Sequence, residues 1–89
     1  MIEKKITVTN KLGLHARPSA KVVQTASKFK SEISLARGSM TINAKSMLGV
    51  MALAAEYGSE LTLKVWGEDE KEAAREIAGL FKNQFKDAY

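Results

Sequence analysis

The hydrophobic period of the chain changes six times along its length, and this alternation limits the fold more than any other feature. In four stretches apolar and polar residues alternate, which is typical of strands with one buried side. Between them apolar residues recur at helical spacing. The predicted strands lie at about 2–9, 33–35, 40–42 and 61–66, and the predicted helices at about 16–28, 46–54 and 69–85. The predicted order is therefore βαββαβα.

Each predicted helix carries an apolar stripe, which needs an apolar surface to pack against. A four-stranded antiparallel sheet covered by helices on one face meets this need and leaves its other face to solvent. The residues that suit the solvent face are Lys5, Thr7, Glu32, Ser34, Thr41, Thr62 and Lys64. Right-handed crossovers that skip one strand allow several strand orders. We therefore predict a single α+β domain over residues 1–89 whose strand order stays open at this point.

The composition excludes several classes of site. With 89 residues there is room for one hydrophobic core. The absence of cysteine excludes disulfides, thiolate nucleophiles and iron–sulfur clusters, and a single histidine leaves a zinc site short of ligands. No apolar run approaches the ~20 residues of a membrane span, and the first six residues lack the apolar core of a secretory signal. We expect a cytoplasmic protein with no metal, no cofactor and no membrane insertion.

The charge of the chain is unevenly distributed. Residues 1–43 hold 8 Lys/Arg and 2 acidic residues, whereas residues 44–89 hold 6 and 8, within a net charge of +4. The basic half favours an acidic partner, which could be nucleic acid, an anionic membrane surface, a phosphorylated group or an acidic protein face. Lysines kept for solubility alone would give the same balance.

The most informative residues lie between the first strand and the first helix. Gly13 permits a sharp turn, and Pro18 belongs in the first turn of a helix, so the helix should begin directly after His15. Free backbone N–H groups of Ala16 and Arg17 and the positive end of the helix dipole would then face the imidazole, where they attract phosphate and disfavour imidazolium. The planar cation of Arg17 suits phosphoryl oxygens. A nucleophile inside a phosphate-binding site is therefore predicted.

Two simpler interpretations of this segment exist. A serine hydrolase would need a carboxylate to orient the histidine, and the first half of the chain offers only Glu3 and Glu32, both far from His15 in sequence. A lone histidine can also pack near a helix start while a neighbouring arginine serves only as surface charge.

Residues 10–18, Asn-Lys-Leu-Gly-Leu-His-Ala-Arg-Pro, resemble the active-site signature of the HPr family, the histidine-containing phosphocarriers of the bacterial phosphoenolpyruvate-dependent sugar phosphotransferase system. The resemblance extends over essentially the whole chain, and residues 43–51 are similar to the family's regulatory-serine region. It implies an open-faced β-sandwich with strand order 1-4-2-3 and three helices on one face. Ser19 stands where many relatives have alanine, and we expect its hydroxyl to cap the helix.

The resemblance also implies roles. His15 would accept a phosphoryl group on Nδ1 from enzyme I and pass it to the enzyme IIA domains of sugar permeases, while Arg17 balances the phosphate charge. The protein would be a monomeric cosubstrate in phosphotransfer, without an enzymatic activity of its own. A regulatory relative in the nitrogen branch of the same system, which does not feed sugar uptake, is the alternative.

Polar residues precede the second and third predicted helices. Ser46 is placed as an N-cap, and Asp69 with Glu72 resembles a capping box. The resemblance implies that HPr kinase/phosphorylase phosphorylates Ser46, which would weaken recognition by enzyme I and favour binding of a catabolite control transcription factor.

The second predicted helix is more apolar than one core-facing stripe requires. We predict a docking patch for protein partners beside His15, with a basic rim that steers the chain toward acidic faces. The patch comprises Met47, Leu48 and Met51, and the rim comprises Lys21, Gln24, Lys28 and Lys45. An RNA-binding module is a rival of another class, but the first three strands contain no aromatic residue on which a base could stack, and only Trp66 could serve. We therefore expect no nucleic-acid partner.

Overall fold

The computed structural model describes residues 1–86, and its elements follow the predicted order. Residues 87–89 of the predicted domain lie outside the described residues. The strands are β1 (Ile2–Thr7), β2 (Glu32–Arg37), β3 (Met40–Asn43) and β4 (Glu60–Trp66), and the helices are α1 (Ala16–Ser27), α2 (Met47–Ala52) and α3 (Glu70–Lys82). The predicted α+β class and the βαββαβα order are thereby confirmed.

The four strands form one antiparallel sheet in the order β1-β4-β2-β3, the order that the resemblance implied. The register aligns apolar residues across neighbouring strands: Ile6 pairs with Leu61, and Leu35 pairs with Leu63 on one side and Ile42 on the other. Because side chains alternate along a strand, this register gathers the apolar residues on one face. The helices cover that face.

The core lies between this sheet face and the three helices. Its largest fully buried side chains include Phe81, Phe85, Leu35, Leu63 and Ile77. The opposite sheet face carries the polar residues predicted for it, all of them exposed or half-buried. None of the helices in the described part of the chain combines the length and hydrophobicity needed to cross a bilayer.

The predicted capping box at the start of α3 is wrong. Asp69 is the N-cap residue, but its side chain caps no amide of α3. Its carboxylate instead accepts hydrogen bonds from the backbone amides of Lys30 and Ser31, both at 2.9 Å, and from the Ser31 hydroxyl. These bonds hold the pKa of Asp69 at about 2. The carboxylate therefore joins the start of α3 to the start of β2.

The third helix is shorter than its apolar stripe predicts. It ends at Lys82, after which Gln84 and Phe85 adopt left-handed backbone angles, φ 61° and 56°. The amide of Phe85 donates to the Leu80 carbonyl at 2.9 Å, and the ring packs edge-on against Phe81. Phe85 is thus buried as a helical stripe would require, although it lies beyond the helix.

Candidate functional site

His15 is the N-cap residue of α1, with an exposed side chain and extended backbone angles, φ −73° and ψ −174°. Its carbonyl accepts the first helical hydrogen bond, from the Ser19 amide at 3.0 Å. Its imidazole makes no capping hydrogen bond. The ring is therefore on open surface at the start of the helix, where the sequence predicts it.

The first turn of α1 leaves two backbone donors beside this ring. Within residues 1–86, no acceptor is found for the amides of Ala16 and Arg17, because the helix offers them none. Pro18 contributes no N–H, and the first turn contains no acidic side chain. An anion placed here would meet free donors and the positive end of the helix dipole.

Arg17 is exposed, and among residues 1–86 it has no carboxylate partner within salt-bridge distance. Its guanidinium is consequently available to an incoming anion.

Ser19 does not cap the helix as expected. Its hydroxyl is buried and donates to the Leu14 carbonyl at 3.1 Å, so it holds the preceding segment and is turned away from the free amides.

A tight turn presents His15 to solvent. Gly13 adopts φ +66°, a left-handed conformation that favours glycine. Its amide donates to the Asn10 carbonyl at 3.1 Å, and the Asn10 side-chain amide donates back to the Gly13 carbonyl at 2.8 Å. Asn10 was not among the predicted site residues, although asparagine ahead of glycine in a turn is the signal that indicates such a role.

The segment after α2 supports this turn from behind. The amide of Leu14 donates to the Ala55 carbonyl at 2.8 Å. Ala54 adopts φ +49°, and the Arg37 guanidinium donates to the carbonyls of Leu53 and Ala54 at 3.0 and 3.2 Å. Arg37 and Ala55 therefore help to position the loop that carries His15, and sequence alone does not reveal these long-range contacts.

Ser46 lies at the other end of α2. It is the N-cap residue, and its Oγ accepts the Gly49 amide at 3.0 Å, as the sequence predicts for a capping serine. Beside it, the Lys45 ammonium donates to the Phe29 carbonyl just beyond α1 at 2.7 Å. Since the end of α1 meets the start of α2, and the start of α1 meets the segment after α2, the two helices run antiparallel. Six residues make α2 about 9 Å long.

The three apolar residues of the predicted docking patch differ in exposure. Leu48 is 84% exposed and Met51 is 43% exposed, whereas Met47 is half-buried. Met51 lies four residues before Ala55, which contacts the loop of His15. The exposed part of the patch therefore occupies the surface between Ser46 and the turn that carries His15.

The predicted basic rim is only partly free. Lys21 is half-buried and Gln24 is exposed, both on α1. Lys28 pairs with Glu76 at 3.0 Å, and Lys45 is bonded to the Phe29 carbonyl. Lys28 follows α1 and is thus about 20 Å from His15 along the helix axis. The structure therefore brings Lys21 and Gln24 closer to His15 than Lys28.

The site residues offer no metal-binding arrangement. Within residues 1–86, no three or more His, Asp or Glu side chains are grouped so that they could hold an ion. The chemistry available at His15 is that of an imidazole, a guanidinium and backbone amides.

The sequence and the fold both match known proteins. Residues 2–83 match the family model described as the PTS HPr component phosphorylation site. The chain is 51% identical to the phosphocarrier protein HPr of Treponema pallidum over 87 residues, which cover 98% of this chain and 99% of that protein. It is 49% identical to the phosphocarrier protein HPr of Xylella fastidiosa (strain Temecula1) over 98% of each chain. The crystal structure of HPr-C-His from Thermoanaerobacter tengcongensis superposes with a TM-score of 0.93, at 44% identity and 96% coverage of each chain. The chain therefore belongs to the HPr family, the phosphocarrier proteins of the phosphotransferase system.

Proposed function

We propose that His15 is the phosphoryl acceptor of this phosphocarrier, and that it receives the group from phosphorylated enzyme I and passes it to enzyme IIA domains of sugar permeases. The observation that carries this proposal is the position of the exposed imidazole at the start of α1, beside the free amides of Ala16 and Arg17. The protein acts as a monomeric cosubstrate, and its own residues hold the group between two partners.

The transfer is a simple exchange of one bond for another. The lone pair on Nδ1 of His15 attacks phosphorus, the bond between phosphorus and the enzyme I donor breaks, and its electron pair stays on the donor. On enzyme IIA the same exchange runs from His15 to the new acceptor. No water is consumed, and the exposed ring can meet both partners from the same side.

The surroundings of His15 suit the charge on the moving group. Arg17 presents a permanent cation two residues away, and the amides of Ala16 and Arg17 donate without first giving up other partners. These donors are already oriented before the phosphoryl group arrives, so its transition state requires little reorganisation of the protein. Arg17 and the two amides therefore stabilise the charge, and His15 forms the bond.

The decisive experiment uses phosphoenolpyruvate, enzyme I and the purified chain. Because the chain has one histidine, a single acid-labile phosphoryl group detected by mass spectrometry should disappear in His15→Ala. Arg17→Gln should slow the transfer, while Arg75→Gln, which changes an exposed arginine on α3, serves as the matched control. An acid-labile adduct on His15→Ala would refute the assignment.

A second proposal concerns Ser46 as a regulatory site for HPr kinase/phosphorylase. Its side chain is half-buried and lies next to exposed Leu48, so a phosphate there adds about two negative charges to the surface that partners would touch. Phosphorylation then weakens recognition by enzyme I and favours a catabolite control transcription factor. Incubation with ATP and the kinase should give an acid-stable adduct that is lost in Ser46→Ala and kept in Ser39→Ala, which removes an exposed turn hydroxyl. An adduct that survives in Ser46→Ala would place the modification elsewhere.

The docking patch is the third part of the proposal. Leu48 and Met51 expose apolar surface between the His15 loop and Ser46, where partners of both sites would approach. Met51→Glu should slow phosphotransfer from enzyme I while thermal unfolding stays unchanged. The control is Trp66→Glu, which changes a side chain of similar exposure at the C-terminal end of β4: Trp66 is 41% exposed and Met51 is 43% exposed. Equal rates for Met51→Glu and the unsubstituted chain would contradict the patch.

The branch of the system is tested by the acceptor. We propose the sugar branch, so that enzyme IIA domains of sugar permeases should take the phosphoryl group from His15 faster than their nitrogen-branch counterpart does. The reverse preference would support the regulatory alternative.

A further inference from the structure

A groove of about 340 Å³ lies on the sheet face that no helix covers. It is lined by residues 32–34, 41–43, Lys45 and Trp66. Neither His15, Arg17 nor Ser46 lines it. Its volume falls within the range of sites that hold small molecules. The groove, called the Trp66 groove below, thus shares only Lys45 with the residues assigned to the phosphocarrier function.

The register of the sheet places an aromatic ring beside a carboxylate at one end of the groove and two uncharged polar side chains at the other. Trp66 pairs with Glu32 across β4 and β2, and Ser34 pairs with Asn43 across β2 and β3. Because residues two apart on a strand face the same way, all four side chains share the open face. Along β2 one strand repeat of about 7 Å separates Glu32 from Ser34. Trp66 on β4 and Asn43 on β3 lie on opposite sides of β2, so the four side chains together span more than one hexose ring.

Several polar groups of the Trp66 groove are not engaged elsewhere. Within the described residues, no hydrogen bond or ion pair involves the Glu32 carboxylate, and none involves the Ser34 hydroxyl. Asn43 uses its Oδ1 for the Lys45 amide at 2.8 Å, which leaves its Nδ2 donors free. The groove therefore presents a carboxylate that accepts hydrogen bonds, a hydroxyl that can donate or accept them, and an amide that donates them.

The charge of the groove selects the class of ligand. Among the lining residues, the one acidic side chain, Glu32, has no ion-pair partner in the described part of the chain. The ammonium of the one basic side chain, Lys45, is bonded to the Phe29 carbonyl. A phosphate would meet the free carboxylate of Glu32 and be repelled, while Lys64, which pairs with Ser34 on the same face, lies outside the groove lining; nucleic acid is therefore disfavoured. An uncharged molecule with many hydroxyls would instead satisfy the carboxylate, the amide and the hydroxyl together.

We propose that the Trp66 groove binds an uncharged oligosaccharide, with one sugar ring against the indole of Trp66 and the hydroxyls of that ring and its neighbour on Glu32, Ser34 and Asn43. Trp66 is 41% exposed, so part of its ring is available for such contact. The C–H face of a sugar is apolar and its rim is polar, and the groove offers an aromatic surface followed by hydrogen-bonding groups. Binding here leaves His15 accessible, because the groove lies outside the helical layer.

The chain provides its own reporter for this proposal, since Trp66 is its single tryptophan. Titration with maltose and cellobiose should quench or shift the indole fluorescence in a saturable way, with a Kd of about 1 mM for so open a site. At least one of the two probes should do so. Loss of all response to both disaccharides up to concentrations far above that value would overturn the proposal.

Two variants separate a specific site from general quenching. Glu32→Gln should weaken binding about tenfold, because it removes a charged hydrogen-bond acceptor while keeping the shape. Glu60→Gln changes an exposed carboxylate on the same sheet but outside the groove, and should bind as the unsubstituted chain does. Equal weakening by both would refute the site. A single-stranded RNA oligomer that gives a stronger response than either disaccharide would show that the groove binds nucleic acid instead.

Discussion

Gly13 lies against the carbonyl oxygen of Ala55, so closely that a Cβ atom on Gly13 would come within 2.4 Å of that oxygen. The adjacent Leu14 amide donates to the same oxygen at 2.8 Å. The loop that carries His15 therefore packs directly against the segment after α2. This close approach is possible only because Gly13 has no side chain.

Gly13→Ala should destabilise the chain by about 3 kcal/mol, because the left-handed backbone costs an alanine ~1–2 kcal/mol and the overlap with backbone atoms adds to it. Gly38 is the matched control. It has φ +60° but no atom within 4 Å of an added Cβ. Gly38→Ala should cost about 1 kcal/mol or less, because the lower entropy of the unfolded alanine chain offsets part of the left-handed penalty. Urea unfolding measures both values, and equal losses would show that the contact with Ala55 contributes nothing.

Asp69 should make the chain sensitive to acid. Hydrogen bonds, that of the Ser31 hydroxyl first, lower the pKa of its carboxyl from 3.8 to about 2. A lowered pKa stabilises the folded state above the unfolded value, and this contribution is lost as the pH falls from about 4 to about 2. The melting temperature of Asp69→Asn should therefore lie below that of the unsubstituted chain at pH 7, and the two should converge toward pH 2. Glu68→Gln, which changes an exposed neighbour, should show no such convergence. A constant difference across this range would contradict the prediction.

Ala54 occupies a left-handed position after α2, with φ +49°. Glycine removes the cost of about 1–2 kcal/mol that this conformation imposes on alanine, but it adds ~0.5–1 kcal/mol of unfolded-state entropy. Ala54→Gly should therefore stabilise the chain by about 0.5–1 kcal/mol. Ala52→Gly, at the last residue of α2, should destabilise it by about 0.5–1 kcal/mol. Thermal unfolding tests the opposite signs, and a loss of stability in both would show that the left-handed position carries no strain.

Ser19→Ala removes the buried hydroxyl that donates to the Leu14 carbonyl. We expect a loss of about 1 kcal/mol in unfolding free energy, with an unchanged rate of phosphotransfer. Ser27→Ala, an exposed hydroxyl at the end of α1, is the control and should be neutral. A slower transfer at unchanged stability would show that the Ser19 hydroxyl acts on the phosphoryl group.

The elements of this fold could be predicted because each depends on neighbours in sequence. The alternation around Ile6 and the stripe through Val22 each report which side of one element is buried, and both side chains are buried. The helical spacing of apolar residues wrongly placed Phe85 in the helix. Its ring is buried as that spacing predicts, but the helix has already ended and the backbone has changed direction. The capping-box prediction for Asp69 was wrong for a related reason, because its hydrogen-bond partners Lys30 and Ser31 lie almost forty positions earlier in the sequence.

The candidate site divides in the same way. His15, Arg17 and Pro18 lie within one turn, so the free helix end could be derived from their order alone. The supports of that turn come from elsewhere, because Arg37 and Ala55 reach it only when the sheet and α2 have packed. Sequence therefore predicts the reacting groups better than it predicts what holds them.

The proline in the first turn of α1 has a further consequence. The amides of the first three helical positions have no partner within a helix, and because Pro18 lacks an N–H only those of Ala16 and Arg17 remain here. On the proposal that His15 carries a phosphoryl group, two amides face three outer oxygens, so the remaining contact falls to Arg17 and to the docking protein. A phosphoryl group that is only partly coordinated by this chain remains accessible for transfer to the next protein.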